Sequence, residues 1–238
     1  LENKKLEKEW VKSFTFILGS DQFGRDVLSR IIFGARVSLS VGICASTLSL
    51  LIGVLLGGVA GFFGRHIETF IMRLTDIMFG FPVLLFLIAI TTVFEPNLMV
   101  VFIAIGVVTW PGMARLVRGQ VLSIKTQEYV LAARALGLGS GDVLWKHVFP
   151  NCISPIIVAY TLGVGSAILA EASLSFLGLG AQPPTASWGS MISLGKDFIR
   201  TAPWISVAPG AVIAITVLGF NLVGDSIRDH LDPKMNSK

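Results

Sequence analysis

Charge is scarce in this chain: only 14% of its 238 residues are Asp, Glu, Lys or Arg, and it has two cysteines and three histidines. Cys44 and Cys152 stand inside apolar runs with no CxxC partner and no neighbouring His. Small buried hydrophobes therefore suit them better than a disulfide or metal site. His66, His147 and His230 flank the apolar runs, which leaves a metal path through the protein without imidazole ligands. No G-x-x-x-x-G-K-[ST] loop is present to cradle nucleotide phosphates, so the chain is not itself an ATPase. Nor does a G-x-S-x-G elbow, an H-E-x-x-H helix or a paired intramembrane aspartate offer a nucleophile, a zinc site or an acid–base dyad. The net charge of +4 is too mild to favour nucleic acid and fits contact with anionic lipid. Leu1 to Trp10 is mostly charged and has no secretory leader pattern.

What the chain has in abundance is apolar sequence. It is 53% hydrophobic with mean hydropathy +0.75, against roughly 45–50% apolar and about 25% charged residues in soluble domains. Five charge-free stretches, 37–64, 77–94, 96–114, 148–170 and 201–224, each approach or exceed the ~18 residues needed to cross a hydrocarbon core. The expectation is an all-α polytopic membrane bundle of five spans. A sixth uncharged stretch, 172–195, carries Pro183, Pro184 and many Ser and Gly residues, which suits a protein-covered loop. No Asp, Glu, Lys, Arg or His is expected deep inside any span, and this absence argues against an ion-coupled carrier and for an external energy source. Gly53, Gly57 and Gly61 repeat every four residues on the first span, the spacing that lets two helix backbones approach closely. Pro82, Pro111, Pro155 and Pro209 fall in or near four spans and predict bends. Trp10, Trp188 and Trp204 are placed as an interfacial belt, and Arg73, Asp76, Asn221, Asp225 and Arg228 as snorkelling groups at span ends or contacts to coupling machinery.

The segment Glu128 to Pro150, EYVLAARALGLGSGDVLWKHVFP, is the longest charged insertion between apolar spans. Tyr129, Ala132, Ala133 and Leu136 have the i, i+3, i+4, i+7 spacing of an amphipathic helix. Gly137 and Gly139 are placed where a helix end wants positive φ, and Ser140 or Asp142 could cap a second helix. Two short helices at an angle, with small residues exposing backbone, would suit a groove on a soluble partner.

This pattern resembles the cytoplasmic coupling loop of bacterial ABC-importer permeases, whose consensus reads EAA, three residues, Gly, nine residues, then I-x-L-P. Ala132, Ala133, Gly137 and Pro150 match at the right offsets, while Leu131 replaces Glu, His147 replaces Ile and Phe149 replaces Leu. LGSDQFGRDVLSR (18–30), ASLSFLGLGAQPPTASWG (172–189) and FNLVGDSIRDHLDPK (220–234) look like further signatures of the C-type subunits in the dipeptide, oligopeptide and nickel branch.

The resemblance implies a type I importer permease fold with coupling residues Leu131, Ala132, Ala133, Gly137 and Pro150. Its implied partners are a homologous B-type permease, two cytoplasmic ATPase subunits that bind the ATP, an external solute-binding protein and membrane lipid. No cofactor is expected in the chain itself, and the implied location is a bacterial or archaeal cytoplasmic membrane. Lys and Arg divide ten to nine between the two sides, so charge counting leaves the topology open and the loop around Ala132 sets it. Residues 1–36 are then external with the GRD-type signature, 115–150 form the coupling loop, 171–200 an external loop and 229–238 a cytoplasmic tail. Family members carry a further span ahead of the signature, so a first span is expected to be missing. Peptide, glutathione and nickel-chelate importers share the scaffold. A channel or carrier, which would conduct alone, and a membrane enzyme, which would need a polar catalytic set, are the readings from other classes.

Overall fold

The computed structural model describes residues 16–94 and 97–231. The basic tail with Trp10, Pro96, and everything after Leu231 lie outside them. Among the described residues the fold is helical with no strand. The elements are α1 (Val27–Phe63), α2 (Arg65–Phe79), α3 (Val83–Val93), α4 (Leu98–Ile124) and α5 (Glu128–Ala135). They continue with α6 (Ser140–Phe176), α7 (Trp188–Gly195) and α8 (Trp204–Leu231). Four of them, α1, α4, α6 and α8, are long and apolar enough to cross a membrane, and the bent α2–α3 pair makes up to five.

The helices overrun the expected spans. α1 begins at Val27, ten residues ahead of the charge-free run, because the Asp26 carboxylate caps it through the N–H groups of Leu28 and Ser29. Its two arginines are accommodated there: Arg30 approaches Asp21 at 3.5 Å, and Arg36 stacks over Phe33. The stretch 77–94 is not one straight span. α2 and α3 meet at 86° across Gly80–Phe81–Pro82, since Pro82 has no N–H for the i→i−4 ladder and takes a ψ of 121°, outside the helical region.

At the far end of the apolar stretch 148–170, α6 runs six residues further to Phe176 and takes Glu171 with it, fully buried. The charge-free stretch ends just short of this carboxylate, which lies five residues before the end of α6 and is buried there. At its start, α6 is π-helical over Val143–Val148. Pro150 has no N–H for the carbonyl four residues back and its ring crowds that carbonyl, so the turns before it widen.

The core sits between α1, α4 and α6. Gly53, Gly57 and Gly61 face α4: a Cβ on Gly53 would stand 2.5 Å from Met113 Cβ, one on Gly57 2.9 Å from Ala114 Cα, and one on Gly61 2.8 Å from Val121 Cβ. Only hydrogen side chains permit this approach, and in lipid, where apolar burial gives little preference between helices, such contact is what holds two spans together. Lys125 Nζ then donates to Gly61 O at 2.6 Å, tying the end of α4 to the end of α1. Glu68 with Arg118 and Asp76 with Arg115 brace α2 against α4 at the same end. The second of these is half exposed and contributes no more than about 1 kcal/mol.

Candidate functional site

The inserted segment forms a knuckle at that end of the bundle. Glu128 in the first turn of α5 and Arg134 in its last complement the helix dipole. α5 stops in a Schellman arrangement: Leu138 N–H donates to Ala133 O at 3.3 Å, Gly137 N–H to Arg134 O at 3.0 Å, and Gly137 takes φ +84°. Gly139 differs from expectation. Its φ is −63°, and it is the N-cap of α6 with no side-chain cap from Ser140 or Asp142; Val143 N–H donates to Gly139 O instead.

The knuckle has two faces. Val130 and Ala133 turn inward with Val143, Leu144 and Val148, onto Phe62 of α1 and Val117 and Val121 of α4. Arg134 lies over the Phe62 ring at 4.9 Å. Tyr129, Leu131, Ala132, Leu136 and Trp145 face outward, with Leu136 82% and Trp145 63% exposed. The stripe expected from spacing is thus split: Ala133 belongs to the base, whereas Tyr129, Ala132 and Leu136 belong to the free face. Pro150 is not part of that face. It lines a cleft of about 710 Å³ with Leu116, Asn151, Pro155 and Arg228, to which none of the other expected coupling residues contributes.

At the opposite end, the sequence Asp21-Gln-Phe-Gly-Arg-Asp26 forms a tight turn before α1. The Asp21 carboxylate accepts the backbone N–H of Phe23 and of Arg25, each at 2.9 Å, and Arg25 Nε at 2.7 Å. Burial pushes that carboxyl up, but these donors and the Arg25 charge outweigh it and hold it below its ordinary value. Ser20 O accepts Trp204 Nε1, which ties the turn to α8.

Beside this turn, the expected loop 171–200 folds back as a re-entrant segment. α6 ends at Phe176 and the chain turns left-handed at Gly178, φ +83°, and α7 starts in a capping box between Ser187 and Ser190. Trp188 is 2% exposed and donates its indole N–H to Ile31 O at 3.0 Å, so it is a core anchor rather than a belt residue; Trp204, at 42%, is half exposed. Cys152 is buried, whereas Cys44 is exposed, against expectation.

A long helical bundle with an exposed apolar knuckle has known relatives. Residues 53–237 match the family model described as binding-protein-dependent transport system inner membrane component. The chain belongs to this family. It is 49% identical over 219 residues to the dipeptide transport system permease protein DppC of Alkalihalophilus pseudofirmus, covering 92% of this chain and 72% of that one. It is 46% identical to the oligopeptide transport system permease protein OppC of Bacillus subtilis, over 91% and 71% of the two chains. The glutathione transport system permease protein GsiD of Pectobacterium atrosepticum is 40% identical over 92% and 73%. Among solved structures, an inward-facing form of the MetNI methionine ABC transporter superposes with TM-score 0.74 over 87% of this chain and 98% of that one, at 17% identity. An amino acid ABC transporter superposes with TM-score 0.67 at the same identity, over 86% and 95%. The fold is therefore that of ABC-importer permeases, and the chain is a multi-pass membrane component of a transport system.

Proposed function

We propose that this permease is the C-type membrane subunit of an importer that moves di- and oligopeptides across a bacterial or archaeal cytoplasmic membrane. Its partners are a B-type permease, two ATPase subunits on the knuckle side and a solute-binding protein on the other. The observation that carries the reading is the free face of the knuckle. Four large apolar side chains, Tyr129, Leu131, Leu136 and Trp145, stand exposed on a polar segment between long helices, over a base buried against α1 and α4. Exposed apolar groups on an otherwise charged segment mark a protein contact.

The ATPases bind and hydrolyse the ATP, and their closure pushes on this face. The rigid base passes the displacement to α1 and α4 through the glycine seam and to α6 through the turn at Gly137. A peptide fits the solute better than a bare metal ion, since the similar sequences include dipeptide and oligopeptide permeases at 46–49% identity and the solute is selected before it reaches the permease.

Co-purification tests the reading. An ATPase pair retained in mild detergent, with ATP hydrolysis stimulated by peptide-loaded binding protein, is the expected result. Isolation of this chain as a lone conducting pore would overturn it.

A further inference from the structure

Glu171 is a carboxylate with no exposed surface, on a helix that crosses the bundle, and nothing in the coupling scheme uses it. A buried carboxylate is costly unless hydrogen bonds compensate its desolvation. Among the described residues no Lys or Arg forms an ion pair with it. Its donors are serines, and their hydrogen bonds run in one direction. Trp188 N–H donates to Ser38 Oγ at 3.2 Å, and Ser38 Oγ donates to Glu171 Oε2 at 3.2 Å. On the other arm, Ser190 N–H donates to Ser187 Oγ, Ser187 Oγ to Ser175 Oγ at 3.2 Å, and Ser175 Oγ to Glu171 Oε1 at 2.6 Å. Ser175 Oγ also accepts Ala181 N–H at 3.4 Å.

Each hydroxyl takes a backbone or hydroxyl proton and must send its own proton onward. Both relays therefore need an acceptor at their end, and an ionised carboxylate is the side chain that can accept on both oxygens. The relays join α1, α6 and the re-entrant segment at a place where the backbones already touch: a Cβ on Gly189 would stand 2.5 Å from Ala172 Cα.

We propose that Glu171 is the positioning residue of the re-entrant segment, the common acceptor that holds residues 181–191 in register against α1 and α6. On the proposed function, on which only this consequence rests, the segment presents a fixed surface to the solute-binding protein at the end opposite the ATPases.

The test uses the assembled complex in lipid nanodiscs, open to reagent on both faces, with Cys44→Ser and Met191→Cys as background. Met191 is 2% exposed on α7 and outside the relays, and the native Cys152, buried on α6 near the knuckle, reports general loosening. Glu171→Gln keeps the shape but supplies one acceptor and one donor, so one relay ends donor to donor. Thiol labelling at Met191→Cys should then rise about tenfold while Cys152 stays within about twofold, as for a local opening after loss of one charged hydrogen bond. Ser38→Ala removes a single relay and should raise labelling at the same position, also selectively. No change at Met191→Cys, or an equal rise at Cys152, would overturn the proposal.

In transport, Glu171→Gln should raise the KM for peptide-loaded binding protein several-fold and leave kcat per assembled complex unchanged, a split that mere loss of folded protein does not produce. An unchanged KM would overturn the surface-presenting role. Absence of peptide-dependent uptake in the unsubstituted complex would instead count against the proposed function, with the labelling result still standing.

Discussion

The two ends of α6 use opposite solutions. Its first turns carry the knuckle, which leaves Leu136 and Trp145 exposed and keeps its polar contacts at the surface, such as the Lys146–Asp142 pair at 2.6 Å. Its last turns carry Glu171 and Ser175, which keep their polar groups inside and turn the re-entrant segment inward through Trp188. An exposed apolar face is unfinished and needs another chain to cover it. A buried network in which each donor finds an acceptor is complete within one chain. On the proposed function, one end of the permease receives a partner's movement and the other keeps its own shape.

The two tryptophans test this contrast most sharply. Trp188→Ala should destabilise the subunit by about 3–5 kcal/mol, because it empties a core site and removes the indole hydrogen bond to Ile31 O. Trp145→Ala should leave stability within about 1 kcal/mol, since that ring is mostly in solvent. It should nevertheless weaken ATPase retention by about tenfold or more, as expected of an interface aromatic. Thermal unfolding of the subunit and ATPase pull-down read the two quantities separately. Equal loss of stability in both variants would erase the distinction between the ends.

A smaller effect is expected at the seam between them. Gly57→Val should cost about 1–3 kcal/mol, because the added side chain meets Ala114 backbone that cannot move aside. Gly119→Ala on α4, where a Cβ meets nothing within 4 Å, should be neutral or stabilise by up to about 1 kcal/mol. Unfolding midpoints in one detergent check the pair. If Gly57→Val were as stable as Gly119→Ala, the close approach of α1 and α4 would be wrong.

The knuckle's own hinge should show in transport more than in stability. Gly137 and Gly139 both have open space at Cβ, yet only Gly137 is in the left-handed region. Gly137→Val should introduce about 1–3 kcal/mol of backbone strain and cut uptake roughly tenfold while the chain still inserts. Gly139→Val should leave uptake within about twofold, since valine adopts its φ of −63° without strain. Uptake in vesicles normalised to inserted subunit distinguishes them, and equal activity would remove the special role of the turn at Gly137.

The same contrast governs what was legible in the sequence. The knuckle could be read because helix periodicity, two glycines and local charge are local signals, and Gly137 did take positive φ. The split between Ala133 and Tyr129 could not, because it depends on where Phe62 and Val121 lie, some 70 and 12 residues back in the chain. A bend at Pro82 was expected from the proline, but the unbroken apolar run 77–94 hid that it divides the stretch into two helices at 86°. Glu171 was missed for a physical reason. A charge-free window stops at any carboxylate, so it ended the span at Ala170, whereas α6 runs to Phe176 and the backbone turns left-handed only at Gly178. Ser38, 133 positions away, is what makes that carboxylate tolerable, and no local pattern announces it.

The smallest expected effect concerns the thiols. Cys44 is exposed and Cys152 lies in the cluster under the knuckle, so their replacement probes one surface and one core position together. Cys44→Ser should change nothing measurable. Cys152→Ser places a hydroxyl in apolar surroundings, but in a helix it can donate to the carbonyl one turn back, which limits the cost to about 1 kcal/mol. Peptide uptake by the assembled double variant should therefore match the parent, because a neutral peptide crosses by hydrogen bonding and needs no thiolate. A selective loss of uptake with assembly intact would mean that a sulfur ligand lies on the path. The solute would then be a metal or its chelate, the cargo for which thiolate is a preferred donor.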